Sequence, residues 1–427
     1  MTSVTSVSSV TLGLVPAPDL PAKVAYELAP ELPALLGRHI DQAVQWEVPV
    51  IVDPLTGGEE EAPQILDETW NLKRREGWDM AISITDLPMH RDGRVLVANA
   101  SVDRGLGGIS LPALGATLLR RRVREAVLQL ASEIRWGSSE SDRDRQKRLR
   151  HTQAGDRAGV AGEERLRGRG PRQLVGRRLT ERLAPIKRVT TTDETGVDVR
   201  YLVPGMRGHV RLLSGMVLSN NPFALFATMK GSLVAAFATG TYALIFSSVR
   251  VLSDSFGPLR LVAFMILSIM AIGLWLVISY GLWERPYSRK SPGLSRLYNT
   301  VTALTLGVSV LSLYAALLVL AFLAAMFLVP ADLFQTTIGH PPRLGDYLSL
   351  ASVVASLAMI AGSLGLRVED RETVLRATYG YRQRRRIEAG KKAKTSSVTG
   401  EDTRGSPEYP EPWRIHRRNR GRGDQGS

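Results

Sequence analysis

The chain has 427 residues, and 55 Lys and Arg against 41 Asp and Glu give it a formal net charge of +14. It contains no cysteine, which excludes disulfide bonds, thiolate nucleophiles and zinc or iron–sulfur sites with cysteine ligands. Because the basic residues concentrate beside the longest apolar stretch, attraction to anionic lipid headgroups explains the charge, and no nucleic-acid partner is expected.

The chain begins with a segment, residues 1–20, that is rich in Ser, Thr and Val and lacks Lys and Arg. A signal peptide needs a basic segment before a longer apolar run, so the pattern predicts a disordered leader instead.

Residues 21–203 predict a cytoplasmic domain of the α+β or α/β class. Apolar residues spaced for a helix alternate with short apolar runs typical of strands, and Gly105–Gly108 is a Gly-rich loop that misses the dinucleotide-binding spacing. The predicted helices are 21–37, 63–76 and 116–134, and the predicted strands are 45–52, 80–85, 94–98, 186–191 and 197–203.

On the predicted helix 116–134 one face is apolar and the other is basic. Leu119, Val123, Val127 and Leu130 share the apolar face at helical spacing. The basic face contains Arg120, Arg121, Arg122 and Arg124.

Residues 137–183 interrupt the domain with a mixture of charged residues, Gly and Ser and few large apolar side chains. Such a composition does not bury enough apolar surface to order itself, so we expect a charged insertion. The hairpin predicted after it can complete the sheet begun before it. The alternative is that the domain ends earlier, at about Trp136.

Four apolar runs follow an amphipathic juxtamembrane segment at 204–222, which we expect to lie on the membrane surface. Each run reaches the roughly 20 residues that a helix needs to cross a bilayer, and the only charge among them is Lys230. The sequence therefore predicts an all-α transmembrane bundle of four helices within residues 223–366. The predicted spans are 223–249, 261–283, 301–329 and 347–366.

Basic residues between the apolar runs predict the orientation. The loop between the second and third runs and the segment after the fourth are rich in Lys and Arg. Cytoplasmic loops carry this excess, so both termini are expected in the cytoplasm of a cell membrane, although Arg250 and Arg260 count against it. Residues 367–427 are expected to form a cytoplasmic helix and a disordered basic tail. The residues expected at the membrane interface are Lys230, Trp283, Arg285, Arg289, Lys290 and Arg367.

Small residues recur four apart in the first and fourth runs, a pattern that lets helices approach closely. They predict a tightly packed bundle, a homo-oligomer or a membrane partner. No Asp, Glu or His lies within the runs, which disfavours an ion-coupled carrier and leaves a passive oligomeric channel open. The residues of these small faces include Gly231, Ala235, Gly240, Ala358 and Gly362.

The sequence contains no motif for a metal, a nucleotide or a serine nucleophile, and no cofactor is predicted. Its most suggestive polar group is Asp86, which directly follows the predicted strand 80–85. Strand carboxyl ends carry ligand groups in α/β domains, so Asp86, His90 and Asp103 are candidates for a polar site. The alternative is that Asp86 only forms a turn before Leu87-Pro88.

Three segments, Gly77–Pro88, Ser110–Gly115 and Arg211–Pro222, resemble a group of uncharacterised actinobacterial membrane proteins. The resemblance extends over about residues 44–366 outside the insertion. These segments are family signatures rather than catalytic motifs. The resemblance therefore implies the architecture and a cell-membrane location, and it implies no reaction.

Together these patterns predict a multi-pass cell-membrane protein with a cytoplasmic binding domain, acting as a non-enzymatic scaffold, sensor or assembly module. A membrane-tethered enzyme is the first alternative, and it predicts a pocket that gathers Asp86, His90 and Asp103. A passive oligomeric channel is the second.

Overall fold

A computed structural model describes residues 8–54, 62–91, 94–138, 186–190, 196–203, 205–220, 222–223, 227, 230–283 and 292–365. Most of the predicted insertion, the loop with Arg285, Arg289 and Lys290, and the tail from Arg367 onwards lie outside these residues.

The N-terminal part of the chain forms a mixed β-sheet with strand order β2-β1-β3-β6-β5-β8-β7, and β4 pairs with β5 beside this path. Strands β2, β1, β3 and β6 run parallel to one another, whereas the pairs from β6 through β5 and β8 to β7 are antiparallel. The strands are β1 Ser9–Pro16, β2 Gln45–Glu47, β3 Met80–Thr85, β4 Met89–Arg91, β5 Arg94–Ser101, β6 Leu106–Ser110, β7 Lys187–Thr190 and β8 Val199–Val203.

Five described helices belong to this α/β domain, and seven follow it. The first five are α1 Leu20–Leu28, α2 Leu32–His39, α3 Ala62–Glu76, α4 Leu111–Leu114 and α5 Leu119–Trp136. The others are α6 Gly205–Ser219, α7 Lys230–Leu244, α8 Ser247–Ser255, α9 Pro258–Tyr280, α10 Pro292–Leu328, α11 Ala331–Ile338 and α12 Leu344–Gly365.

Strand β1 lies between β2 and β3, inside the sheet. The prediction of a disordered leader is therefore wrong for Ser9–Pro16. Leu12 and Leu14 are fully buried on one face, and on the other Gly13 lies directly under the ring of Trp78. The strands that pair with β1 and the indole that covers Gly13 lie far away in sequence, and a local sequence pattern does not reveal them.

Gly13 tests this packing, because a Cβ at this position would overlap the indole ring of Trp78. We expect Gly13→Ala to lower the free energy of unfolding of the domain by about 1–3 kcal/mol through overpacking. Gly37→Ala is the matched control, since its Cβ would meet only Trp46 at 3.9 Å and helix α2 favours alanine. Equal denaturation midpoints for the two variants would contradict the packing of β1 under Trp78.

The Gly-rich segment Gly105–Gly108 is mostly not a loop, since Leu106–Ser110 is strand β6. The prediction of a loop is wrong there because the glycines serve close packing. A Cβ at Gly107 would lie 3.1 Å from Leu130 of α5, so the missing side chain lets that helix approach the sheet. Only Gly105, in the turn before the strand, has a positive φ of 67°.

The sheet continues on the far side of the charged segment, because β8 pairs with β5 and β7 pairs with β8. A buried polar network joins this part to helix α5. Glu133 Oε1 accepts hydrogen bonds from Tyr201 Oη at 2.9 Å and Arg188 Nε at 3.1 Å, and Oε2 accepts one from Arg188 Nη2 at 2.9 Å. Burial raises the pKa of Glu133 and of Tyr201 above their ordinary values, and Arg188 opposes both shifts.

Helix α6 is amphipathic, but its apolar face packs against the α/β domain. Leu212 and Met216 are fully buried in the core that also contains the sheet residues. Gly215 lies directly on the backbone of Pro112 in α4. The prediction that this segment lies on the membrane surface is therefore wrong for its apolar face, which packs on the domain. An amphipathic pattern does not show whether the apolar face contacts protein or lipid.

In the part of the chain that the structure describes, three helices are long and apolar enough to cross a membrane, which indicates a multi-pass membrane protein. They cover Pro258–Tyr280, Arg296–Leu328 and Leu344–Ala361. The predicted first span is not one straight helix within the described residues, since α7 and α8 meet at an angle of 91°. Only together, as a bent pair, are they long and apolar enough to cross a membrane, so a fourth span is not established.

Parts of the small-residue faces of α7 and α12 pack against each other within the same chain. A Cβ at Gly240 would lie 3.1 Å from Val354 Cγ1 and 3.4 Å from Ala358 Cβ, so these helices cross closely at this point. Gly231 and Ala235 are exposed on α7. Gly362 lies in α12.

Candidate functional site

The carboxyl ends of the parallel strands β3 and β6 meet at one edge of the sheet, and Asp86 lies there, 1% exposed. Two hydroxyl groups hold the backbone beside it. Thr85 Oγ1 accepts a hydrogen bond from the N–H of Leu87 at 3.1 Å, and Ser110 Oγ donates one to the Leu87 carbonyl at 2.7 Å. Asp86 therefore lies in a closely held turn at the edge where α/β domains carry ligand groups.

Asp103 lies elsewhere. It is exposed in the turn between β5 and β6, before the first residue of β6, whereas Asp86 is beside the last. The five residues of β6 separate the two ends by about 13 Å at roughly 3.3 Å per residue. The structure thus does not bring Asp103 to Asp86, and the three-residue site of the enzyme hypothesis does not form as a cluster.

His90 follows Asp86 by four residues and meets a histidine that no local sequence pattern connects with it. The ring centres of His90 on β4 and His209 on α6 are 5.9 Å apart, with the planes tilted by 33°. His209 Nδ1 is 3.2 Å from the Gly205 carbonyl oxygen. Partial burial of its ring lowers the pKa of His90, and the charge of His209 lowers it further. Sequence reasoning missed this pair because 118 residues lie between its members.

A row of polar groups crosses the interior of the sheet on the face covered partly by α3. Ser83, Gly108, Asn99 and Arg200 stand side by side on β3, β6, β5 and β8. All three side chains in this row are buried. Asn99 Oδ1 has no hydrogen-bond partner among the described residues, and an ordered water would satisfy it. A signal was present in the sequence, since Asn99 interrupts the apolar run from Val95 to Ala100.

Two arginines are buried near helix α4 on either side of Gly115. Arg122 Nη1 donates a hydrogen bond to the Leu114 carbonyl. A Cβ added at Gly115 would lie 3.1 Å from this Nη1 atom and 3.1 Å from Arg211 Cγ. Arg122 was predicted on the basic face of α5, opposite its apolar face, and its burial contradicts a solvent-facing position. The carbonyl at the end of the short helix α4 provides it with an acceptor that a helical wheel does not show.

The α/β domain is joined to the longest membrane helix by a junction made of α6, the segment after it and the first turns of α10. Tyr298 and Val301 of α10 belong to the same apolar core as the sheet. Asn220 Nδ2 donates a hydrogen bond to Thr305 Oγ1 at 3.0 Å, and Ser309 Oγ donates one to the Pro222 carbonyl at 2.9 Å. Apolar and polar contacts therefore hold the domain and this helix together.

Arg250 was predicted as a loop charge, and the structure places it in α8, 6% exposed. Its Nη1 donates a hydrogen bond to the Leu244 carbonyl at 3.0 Å, so it caps the last turn of α7 across the bend. Trp283 is largely exposed, and its position at the membrane interface stays a prediction.

His340, in the loop after α11, contacts Asp254 of α8 at 3.1 Å. This hydrogen bond, with one to Pro341, raises the pKa of His340. A histidine whose pKa is higher in the folded state stabilises that state below the unfolded value of about 6.5, and the contribution is lost as the pH rises through the folded value.

The contact between His340 and Asp254 is therefore expected to weaken as the pH rises above about 6.5. We expect Asp254→Asn to lower the pKa of His340 towards its ordinary value, as measured by NMR titration of the imidazole in the full chain. Asp332→Asn, on the neighbouring helix α11, is the control and should leave the titration unchanged. Equal titration curves for Asp254→Asn and the unmodified chain would contradict the contact.

Among the residues that the structure describes, no three or more His, Asp or Glu side chains are grouped so that they could hold a metal ion. No family model, curated protein or solved structure matches the chain. The resemblance to actinobacterial membrane proteins stays a prediction.

Proposed function

We propose that this chain is a non-enzymatic sensor or assembly module of the cell membrane, in which the α/β domain binds a partner or ligand and transmits its state to the membrane helices. The observation that carries the proposal is the junction between the domain and α10. A scaffold with a flexibly tethered domain needs no shared core, whereas a transmitting module needs one.

The length of α10 supports this role. Its 37 residues extend over about 55 Å at roughly 1.5 Å per residue, and a bilayer core is only about 30 Å thick. The excess length includes Tyr298 and Val301 at the amino-terminal end, where the helix enters the domain core. A movement of the domain relative to α6 would therefore also displace α10, the helix that continues across the membrane.

We place the domain and both termini on the cytoplasmic side, on the strength of the Lys and Arg between the second and third predicted spans and after the last. Anionic headgroups are then the nearest partners of these basic residues. Gly231 and Ala235 leave a small-residue surface exposed on α7, which suits a second copy or another membrane helix.

Transmission is tested by hydrogen exchange on the full chain in lipid nanodiscs. Met216→Ala removes a buried side chain from α6, and Val301→Ala removes one from α10. We expect each substitution to speed exchange on both sides of the junction, in strand β5 and in the first turns of α10, because coupling between two sites is reciprocal.

Leu311→Ala is the matched control, since this side chain of α10 is 53% exposed and away from the junction. If Met216→Ala and Val301→Ala change exchange only in their own elements, the domain and the helix are not coupled and the proposal fails. A turnover activity of the full chain that Asp86→Asn abolishes and Met216→Ala retains would favour the tethered enzyme instead.

A further inference from the structure

The pair formed by His90 and His209 bridges two parts of the molecule that the proposed function requires to communicate. His90 belongs to β4, the short strand that forms a hairpin with β5, and His209 belongs to α6 in the junction. Both residues keep an exposed surface, so an ion from solution can reach them.

The geometry points to a binding site for one divalent transition-metal ion, of the class that prefers imidazole ligands, between His90 and His209. Two imidazoles that share an ion with metal–nitrogen distances of about 2.0–2.1 Å have ring centres roughly 5–6 Å apart. The observed separation is 5.9 Å. Zn²⁺, Ni²⁺ and Cu²⁺ are the ions that suit such ligands.

The hydrogen bond of His209 favours ligation. His209 directs Nδ1 at the Gly205 carbonyl, and donating that proton leaves the lone pair of Nε2 for a metal. Metal-bound histidines characteristically donate their second nitrogen in this way, which fixes the tautomer and the ring orientation.

The site has two protein ligands, because the described residues offer no third acidic or imidazole group there, and water fills the remaining positions. Bound metal would clamp the β4–β5 hairpin to α6 and so tighten the contact between the sheet and the junction. This regulatory meaning rests on the proposed function, whereas metal binding itself does not.

Binding is tested on the full chain in detergent, purified through an affinity tag without histidine and titrated calorimetrically with Zn²⁺. We expect one saturable site that is present in the unmodified chain and lost in both His90→Gln and His209→Gln. His340→Gln is the control and should keep the site, because His340 contacts Asp254 far along the chain. His39, His151 and His416 remain in every variant, so their background binding cancels.

Two further measurements distinguish metal ligation from an indirect effect. Electron paramagnetic resonance of the Cu²⁺-loaded chain should show two coordinated nitrogen atoms, and this two-nitrogen signal should be absent from each glutamine variant. Without metal, the variants should unfold at the same temperature as the unmodified chain, since both residues lie at the surface. Equal Zn²⁺ binding by the unmodified chain and the variants, or no saturable binding at all, overturns the site. Either result leaves the exchange test of the junction unaffected, so the two proposals fail separately.

Discussion

Replacing Glu133 with alanine is expected to lower the free energy of unfolding of the α/β domain by about 3–5 kcal/mol. The substitution removes the acceptor of Tyr201 and the counter-charge of Arg188, whose side chain is only 5% exposed. A buried guanidinium without its carboxylate is far more costly than the pair is favourable, because it loses hydration and keeps only its hydrogen bond to the Ser138 carbonyl. The loss is measured as faster hydrogen exchange in α5 and β8 of the full chain.

Two controls separate the charge from the packing. Arg121→Ala breaks a partly exposed ion pair with Glu125, one turn away on the same helix, and should cost only about 0.3–0.5 kcal/mol. Glu133→Gln keeps a hydrogen-bond acceptor for Tyr201 and removes the charge, so its effect should lie between the other two. If Glu133→Ala costs no more than Arg121→Ala, the buried network does not hold the segment after the insertion to the sheet.

Replacing Gly215 with alanine is expected to detach α6 from α4 and weaken the junction. A Cβ at this position would overlap the Pro112 carbonyl oxygen and lie 2.8 Å from Pro112 Cα. Both obstacles are backbone atoms, which cannot rotate away, so the helix itself must move. We expect a loss of about 1–3 kcal/mol or more from overpacking, together with faster exchange in the first turns of α10.

Gly307→Ala is the control for this variant, because position 307 is also a helical glycine, and a Cβ added there would have no neighbouring atom within 4 Å. It should leave the thermal unfolding temperature unchanged or raise it slightly, since alanine favours a helix. If hydrogen exchange in the first turns of α10 is unchanged in Gly215→Ala, α6 tolerates displacement. It then does not connect the domain rigidly to α10.

Local patterns were sufficient for several elements. Strand β3 was predicted as 80–85 and is found there, because a short apolar run bounded by turn residues describes a buried strand well. The helix predicted at 63–76 corresponds to α3, which Gly77 follows with a positive φ of 69°. The three apolar helices were evident for a simpler reason, since uncharged runs of this length have few alternatives to a membrane.

Long-range contacts account for the predictions that were wrong. Ser9–Pro16 carries no local strand signal strong enough to oppose its leader-like composition, and pairing with two strands far away makes it a strand. Arg122 is buried because α4 offers a carbonyl, and the bend between α7 and α8 is capped by Arg250. In each case the partner is set by the fold, and a residue's neighbours in sequence do not specify it.

The sequence by itself determined that this protein has an α/β domain followed by apolar helices long enough to cross a membrane. Composition and periodicity carry that information because burial sets the spacing of apolar residues along a segment. The thickness of the hydrocarbon layer likewise sets the length of an apolar run. Only the tertiary structure decided that Asp103 is apart from Asp86, that His90 meets His209, and that α10 enters the core of the domain. These arrangements relate residues on different elements, with 118 residues between the two histidines, and they arise from the packing of whole elements against one another.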